Sequence, residues 1–333
     1  MRFFAATALA ALTIGAASVQ AEEASYILAT ASTGGTYYPV GVAISTLVKV
    51  KLEPTEKIAM AAISSAGSAE NVRLIRDGEA QFGILQALYG YDAITGTGSF
   101  AEIGKQENLR SVTMLWPNVE HFIIDAAAVK TGTVEDIADL KGKAMAFGSQ
   151  NSGTIGSNRT ILAGLGLDLD KDYELVFGGY GPSAEALQNG QVEGVSIPAG
   201  IPAGAVSQLF AAAGDKVKML EFTPEQIEKA DGGRGIWTSF VVPEGTYPGQ
   251  AADITTIAQP NFLAVDASVS EDNIYQITRT IYENLPFLQA IHPATKHMIL
   301  EQAITGLPVP LHPGAARYFQ EAGIEIPENL IAK

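Results

Sequence analysis

The sequence contains no cysteine and only four histidines. The missing cysteine excludes disulfide bonds, a thiol nucleophile and a lipid-modified cysteine. The histidines, His121, His292, His297 and His312, show no tight metal-binding spacing. Neither a Gly-x-Ser-x-Gly elbow nor a Gly-x-x-x-x-Gly-Lys loop occurs. We therefore expect no metal, no cofactor and no catalytic residues, with a Ser/His/Asp site assembled from distant residues as the alternative.

Charged residues are also scarce, at 17% of the chain, and the formal net charge is −15. A chain with this acidic balance should repel nucleic acid and anionic lipid surfaces, so we expect neither as a partner. A small anionic ligand remains compatible with the acidic balance, because backbone amides can make a pocket locally positive inside a negative protein.

Long apolar runs are absent except at the amino terminus. Met1-Arg2 supplies a positive start, an apolar stretch follows over residues 3–17, and Val19-Gln20-Ala21 resembles a cleavage site. This pattern predicts a secretory signal peptide over residues 1–21, since the stretch is too short for a stable membrane anchor. The alternative is a buried amino-terminal helix. We expect an exported protein with no direct membrane anchor.

The chain after residue 21 alternates strand and helix patterns. Strands are predicted at 26–30, 57–63 and 80–85, and helices at 37–52 and from Ser68 to Asp77-Gly78. In this interpretation, Ser68 caps the second helix. The alternation predicts an α/β fold with parallel strands, whose loops lie along one edge of the sheet, where such folds bind ligands.

The same order of elements recurs later in the chain. Strands are predicted at 144–147, 173–177 and 191–197, separated by a small-residue loop and two helices. Ser183-Ala184-Glu185 repeats Ser68-Ala69-Glu70 at the corresponding place, and Thr154 corresponds to Thr36. We infer two lobes of related design. The alternative is that any two strand–helix–strand units look alike at this level.

A strongly β-forming segment at 111–124 lies between the two copies and is predicted to cross from one lobe to the other. The chain would return near 236–242. We therefore predict lobe 1 from residues 22–114 plus 237–333, lobe 2 from residues 115–236, and a hinge with two chain crossings. Tail helices are predicted at 272–282, 293–302 and 314–321.

Three Gly-rich loops run directly into predicted helix starts. The first amides of a helix lack internal partners, and the helix dipole places partial positive charge there, so such loops can hold a carboxylate without an arginine. The alternative for each loop is ordinary turn and cap chemistry. The predicted ligand-binding residues are Gly35, Thr36, Tyr37, Ser68, Gln86, Ser152, Gly153, Thr154, Asn158 and Ser196.

Several of these side chains, and others nearby, have more than one interpretation. The Gln86 amide suits either a carboxylate or an amino group, and Tyr37 suits a hydroxyl donor or a pocket wall. Arg159 is the candidate cation for a dicarboxylate, although a surface position fits it equally. His121 and Trp116 either line the cleft or pack within the core or the hinge.

Four segments resemble one known family. Thr33-Gly34-Gly35-Thr36-Tyr37-Tyr38-Pro39, residues 65–80, Trp116-Pro-Asn-Val-Glu-His-Phe and Gly148-Ser-Gln-Asn-Ser-Gly-Thr are similar to the TAXI family, the solute-binding proteins of TRAP transporters. The resemblance covers nearly the whole chain after residue 21.

This resemblance implies a type II periplasmic-binding fold and a periplasmic location. It also implies capture of a small organic acid or amino acid, similar to glutamate or 2-oxoglutarate, and delivery to a TRAP-type membrane permease. The absence of the family's usual lipobox fits a receptor that is not tethered. A ligand-sensing adaptor for a signalling histidine kinase is the alternative.

Overall fold

The computed structural model describes residues 23–332, so the predicted signal peptide lies outside the described residues. The strands form two mixed sheets rather than purely parallel ones. In the first sheet three strands are parallel, in the order β2-β1-β3, and the antiparallel strand β11 follows β3 and pairs with both β4 and β10. The strands are β1 (Ala24–Ala29), β2 (Ile58–Ile63), β3 (Phe82–Gln86), β4 (Leu109–Val119), β10 (Thr238–Val242) and β11 (Ile254–Asp266).

The second sheet has the order β7-β6-β8-β5-β9. Its first three strands are parallel, and β5 runs antiparallel to both β8 and β9. The strands are β5 (Phe122–Asp125), β6 (Ala144–Ala146), β7 (Glu174–Leu175), β8 (Gly194–Ser196) and β9 (Val217–Met219). We use "lobe" for each sheet with the helices packed on it.

Helices connect and cover these strands. Those associated with the first sheet are α1 (Tyr37–Glu56), α2 (Ser68–Arg76), α3 (Ala87–Thr95), α9 (Glu271–Glu283), α10 (Leu285–Ile291) and α11 (Pro313–Glu321). Those associated with the second sheet are α4 (Gly153–Gly164), α5 (Leu169–Asp172), α6 (Tyr180–Gln188), α7 (Gly204–Ala213) and α8 (Pro224–Asp231). Within residues 23–332, none of the helices combines the length and the apolar composition needed to cross a bilayer.

The internal repeat is present in the topology. The order β2-β1-β3 followed by antiparallel β11 matches the order β7-β6-β8 followed by antiparallel β5. The tripeptide match is out of phase, however, because Ser68 is the first residue of α2 whereas Ser183 lies three residues inside α6. The recurring order of elements therefore matches the structure, whereas the repeated tripeptide falls at different positions in the two helices.

The second sheet is buried on both faces, which explains its short and strongly apolar strands. Ile123 and Val195 pack into one cluster with helices α6 and α7. Phe122, Ile124 and Met145 face the opposite way, into the large cluster that continues through the first lobe. Two continuous apolar layers thus fix the positions of the strand ends that carry the loops.

The predicted crossing segment at 111–124 is divided into two strands in the structure. β4 ends at Val119 in the first sheet and β5 begins at Phe122 in the second, with Glu120 and His121 between them. The longest strand, β11, was not predicted, since Gln259-Pro260-Asn261 interrupts its apolar pattern. β4 runs through position 114 as a single strand, and the lobe boundaries at 114/115 and 236/237 stay a prediction.

The predicted tail helix at 293–302 is not continuous. Two short 3₁₀ segments, Pro293–His297 and Leu300–Gln302, replace it, because the backbone leaves the helical region at Met298 and Ile299. Pro293 starts the first segment after His292, whose carbonyl accepts the Thr295 hydroxyl. The other two tail helices form as α9 and α11.

Candidate ligand-binding site

A cavity lies between the two lobes at the carboxyl ends of the six parallel strands, the edge at which α/β sheets bind ligands. The space between its lining atoms is about 460 Å³, a figure that includes the solvent at its open side. Its lining comes from the last residue of β3, from the loops and first helical turns that follow the parallel strands, and from one residue of β4. The lining residues are Ala31, Ser32, Gly35, Thr36, Tyr37, Ala66, Gly67, Ser68, Gln86, Asn118, Ser149, Ser152, Gly153, Thr154, Gly179, Tyr180, Pro198 and Ala199.

Four helices begin at this cavity. The N-cap residues of α1, α2, α4 and α6 are Thr36, Gly67, Ser152 and Gly179, and all four line it. Each lobe contributes two of the four helix ends. Because each helix end carries partial positive charge on its first amides, the cavity has a favourable field for an anion.

Three of these four helix ends lack a side-chain cap. The Thr36 hydroxyl donates to the carbonyl of Gly200 at 2.9 Å instead of capping α1. Ser68, which was predicted to cap α2, is its first residue, and its hydroxyl accepts the backbone N–H of Gln86 at 3.1 Å. Only Ser152 caps its own helix, by accepting the N–H of Ile155. In the first turns of α1, α2 and α6, the N–H groups that have no partner among the described residues are those of Tyr37, Tyr38, Ser68, Ala69 and Gly181. The N–H of Glu70 donates to the carbonyl of Asn151 and that of Tyr180 to Oγ of Ser32, while Pro39 and Pro182 have no N–H.

The lining contains no aspartate, glutamate, lysine, arginine or histidine. Its polar groups are hydroxyls, amides and the two phenols Tyr37 and Tyr180, whose pKa values are raised by burial, so both stay neutral. The Tyr180 hydroxyl donates to the carbonyl of Pro198 at 2.7 Å and contacts the Thr154 hydroxyl at 2.8 Å. Residues 23–332 include no cluster of three or more side chains that could hold a metal ion.

Asn118 lines the cavity and was not among the predicted ligand-binding residues. The Tyr37 hydroxyl donates to Oδ1 of Asn261, and Nδ2 of Asn261 donates to Oδ1 of Asn118 at 3.3 Å. Nδ2 of Asn118 is then left buried with no partner among the described residues. An unpaired buried donor is costly, and a ligand acceptor would satisfy it. The available signal was a polar residue inside a strongly β-forming segment.

Gln86 closes β3 and lines the cavity. Its Oε1 accepts the hydroxyl proton of Ser157 at 2.9 Å, and Oγ of Ser157 accepts Nε2 of Gln259 at 3.1 Å. Oε1 of Gln259 accepts the backbone N–H of Leu88 at 3.0 Å. This chain of hydrogen bonds links β3 and β11 of the first lobe to α4 of the second.

Eight of the ten predicted ligand-binding residues line the cavity, and the structure places Asn158 and Ser196 behind it. Ser196 donates to Oδ1 of Asn158 at 3.0 Å, and Nδ2 of Asn158 donates to the carbonyl of Phe147 at 2.9 Å. Both side chains are buried and hold α4 against the second sheet.

Arg159, His121 and Trp116 lie outside the lining. Arg159 is on the surface, where its guanidinium forms two hydrogen bonds to Asp170 at 2.7 and 2.8 Å. His121 is buried between the carbonyl of Ile197 and the hydroxyl of Tyr247, and burial lowers its pKa to about 4, so it is neutral. Trp116 is fully buried and packs edge-on against Tyr37.

Glu120 is fully buried at the junction of β4 and β5, and neither carboxylate oxygen has a hydrogen-bond partner among the described residues. Burial raises its pKa to about 8, while the nearby Trp237 and Gln259 side chains oppose the rise. The group is therefore largely protonated at neutral pH, and it does not line the cavity.

Comparison with known proteins supports the fold. The family model described as NMT1-like matches residues 28–323. A protein from Bordetella bronchiseptica superposes with a TM-score of 0.53, 13% identity and coverage of 92% of this chain and 91% of its own. PhnD1 from Prochlorococcus marinus, in complex with methylphosphonate, superposes with a TM-score of 0.51 and 11% identity, over 81% of this chain and 90% of its own. The alkanesulfonate-binding protein SsuA from Xanthomonas axonopodis pv. citri, bound to MOPS, has a TM-score of 0.47 and 15% identity, over 91% of this chain and 92% of its own.

The fold is the two-lobed type II periplasmic-binding-protein architecture, as predicted.

Proposed function

This chain belongs to the NMT1-like family, and from that premise we propose that it is a periplasmic solute-binding receptor for a small organic acid or amino acid. The observation that carries the proposal is the meeting of four helix ends, three without side-chain caps, around a cavity with no charged side chain. Such an arrangement binds a carboxylate through backbone amides and neutral hydroxyls.

The contacts across the cavity support a clamp. The N–H of Glu70 in the first lobe donates to the carbonyl of Asn151 in the second at 3.2 Å, and the N–H of Ala205 donates to the carbonyl of Gly34 at 3.2 Å. Each bond joins the first turn of a helix in one lobe to a loop of the other. We propose that they form as the lobes close on the ligand and break as the lobes open.

We further propose that the receptor is of the TAXI type and is not an enzyme. The four similar sequence segments support delivery of the ligand to a TRAP-type permease, and the leader pattern supports export. The lining has no histidine or carboxylate that could act as a base toward its hydroxyls, which supports binding without turnover. Recovery of intact ligand after long incubation would agree with this proposal, and a changed ligand would contradict it.

A thermal-shift screen of the chain lacking residues 1–21 against C4–C6 dicarboxylates and amino acids tests the binding function. A saturating ligand should raise the melting temperature by several degrees, because it binds only the folded state. The proposal fails if no carboxylate or amino acid in the panel raises it.

Two variants on the same helix then locate the ligand. Thr154→Val removes a hydroxyl that lines the cavity and should weaken the Kd roughly five- to tenfold, as expected for one lost hydrogen bond. Thr160→Val is the matched control, since the Thr160 hydroxyl donates to the carbonyl of Gly156 away from the lining. Equal effects of the two substitutions on the Kd would contradict this location.

Delivery is tested separately with membrane vesicles that contain a TRAP permease. Ligand uptake should require the receptor and an ion gradient. Uptake that is unchanged by adding the receptor would contradict the TRAP assignment and would favour the histidine-kinase adaptor.

A further inference from the structure

The hydrogen bonds around Gln86 determine which end of its amide faces the ligand. A backbone N–H can only donate, so the N–H of Leu88 fixes Oε1 of Gln259 as the acceptor. Nε2 of Gln259 therefore donates to Oγ of Ser157, and the hydroxyl proton of Ser157 is directed to Oε1 of Gln86. Nε2 of Gln86 is the group that remains for a ligand, and it has no partner among the described residues.

Two side-chain amide donors at the cavity therefore remain available to a ligand. Nδ2 of Asn118 is buried with no partner among the described residues, and Nε2 of Gln86 makes no hydrogen bond to them. The N-cap side chains of α1, α2 and α6 also leave their helix starts uncapped. Two buried amides and three uncapped helix ends all favour an acceptor with negative charge.

Five main-chain carbonyls at the cavity are already occupied, and the acceptors that remain are uncharged hydroxyl and carbonyl oxygens. The carbonyls of Ser32, Ser149 and Ala199 accept backbone N–H groups, and those of Ser152 and Pro198 accept the hydroxyls of Tyr89 and Tyr180. No carboxylate lines the cavity. An α-ammonium group would lose its hydration beside four positive helix ends without a carboxylate to offset that loss.

We propose that Gln86, held by the hydrogen-bond chain through Ser157 and Gln259, selects an organic acid anion that lacks an ammonium group over the corresponding amino acid. The inference rests on the proposed receptor function and narrows its ligand class. Gln86 is the specificity-determining residue, and Ser157 and Gln259 are positioning residues.

Calorimetric titration with matched pairs tests the selectivity. The pairs are 2-oxoglutarate with glutamate, succinate with aspartate, and pyruvate with alanine. In each pair whose acid binds, the amino acid should bind at least about tenfold more weakly, as expected when an uncompensated charge is buried. Equal or tighter binding of the amino acid overturns the selectivity and leaves the receptor function standing. Absence of binding by every compound overturns both.

Gln86→Glu replaces the free donor with an acceptor of nearly the same shape. Binding of the acid should weaken about tenfold or more, and the acid-to-amino-acid preference should shrink or reverse. Gln191→Glu is the matched control. It changes the net charge by the same amount, and Gln191 is exposed and lies outside the lining. An unchanged preference in a folded Gln86→Glu variant overturns the assignment.

Ser157→Ala provides a second test that does not bury a new charge. It removes the hydroxyl that holds Oε1 of Gln86, so the amide can rotate and present its oxygen. The preference for the acid should fall several-fold while the melting temperature of the ligand-free protein stays close to wild type. A purely structural role for Ser157 would lower the melting temperature and leave the preference unchanged, and that result contradicts the proposal.

Discussion

At the scale of single residues, the buried carboxyl of Glu120, between β4 and β5, makes the stability of the protein depend on pH. Its carboxyl is fully buried and unpaired, and burial raises its pKa from 4.5 to about 8. Below about pH 4.5 both the folded and the unfolded chain keep the proton. Above that pH the unfolded chain ionises first, so the contribution of Glu120 to stability falls until the folded pKa is passed.

Glu120→Gln should therefore stabilise the protein increasingly as the pH rises from 5 to 8. The wild-type carboxyl loses about 1.4 kcal/mol of stability per pH unit over this range, which is roughly 3 kcal/mol by pH 7. Urea unfolding of both proteins at several pH values measures the difference. Glu185→Gln, at an exposed position, controls for the loss of one charge. A difference between Glu120→Gln and wild type that does not change with pH would contradict the prediction.

The candidate site residues show which side chains a sequence can indicate. Thr36, Ser152 and Gly153 were predicted because loops that lead into helices have a local signature, and all three line the cavity. Asn118 was missed because its role depends on Asn261, which is 143 residues away in the chain. Tyr180 follows a Gly-Gly pair at the corresponding place in the repeat and was available to the same reasoning.

At the scale of elements, the start of α4 fits closely against the first lobe. A Cβ atom at Gly153 would lie 2.6 Å from Oε1 of Gln86 and 2.8 Å from Oγ of Ser68, both on the opposite side of the cavity. At Gly35 a Cβ atom would lie 2.9 Å from the ring of Tyr180. The closed arrangement therefore requires glycine at these positions for space, even though neither backbone has a positive φ.

Gly153→Ala should obstruct closure without unfolding either lobe. The added methyl group must push Gln86 or the start of α4 away, and the expected loss is about tenfold or more in ligand affinity, which corresponds to overpacking of roughly 1–3 kcal/mol. Gly181→Ala is the control, since a Cβ there meets nothing within 4 Å and α6 can accept alanine. Calorimetry and thermal melting measure the two effects. Wild-type affinity in the Gly153→Ala variant would show that the lobes do not need this contact.

The elements themselves were only partly predictable. The units that repeat the strand–helix–strand order were assigned correctly, because their hydrophobic periodicity and their turn residues indicate the same elements. β11 was missed since Gln259, Pro260 and Asn261 interrupt its pattern, and two of these polar side chains form the hydrogen bonds that reach the cavity. Sequence rules therefore failed at the strand whose polar side chains bond to groups at the cavity, where the polar residues break the regular apolar pattern.

At the scale of the whole molecule, two connections between the sheets define the proposed hinge. β4 passes into β5 at Glu120 and His121, and α8 of the second lobe passes into β10 of the first through residues 232–237. The sequence predicted two crossings, and the first lies within the predicted segment. The second runs from α8 to β10, and β10 (Thr238–Val242) lies within the predicted return at 236–242.

Solution scattering should show a smaller radius of gyration with a saturating carboxylate than without it. The structure has hydrogen bonds across the cavity that an open form would lose, among them those of Glu70 and Ala205. The chain without residues 1–21 is the sample, and a compound that gives no thermal shift serves as the negative control. An unchanged radius on ligand binding would contradict closure of the lobes.

The division of the four helix ends between the lobes also determines how the ligand leaves. α1 and α2 remain with one sheet and α4 and α6 with the other, so separating the lobes withdraws half of the favourable field from the ligand in one movement. A partner that holds the lobes apart would expel the ligand without contacting any residue of the cavity.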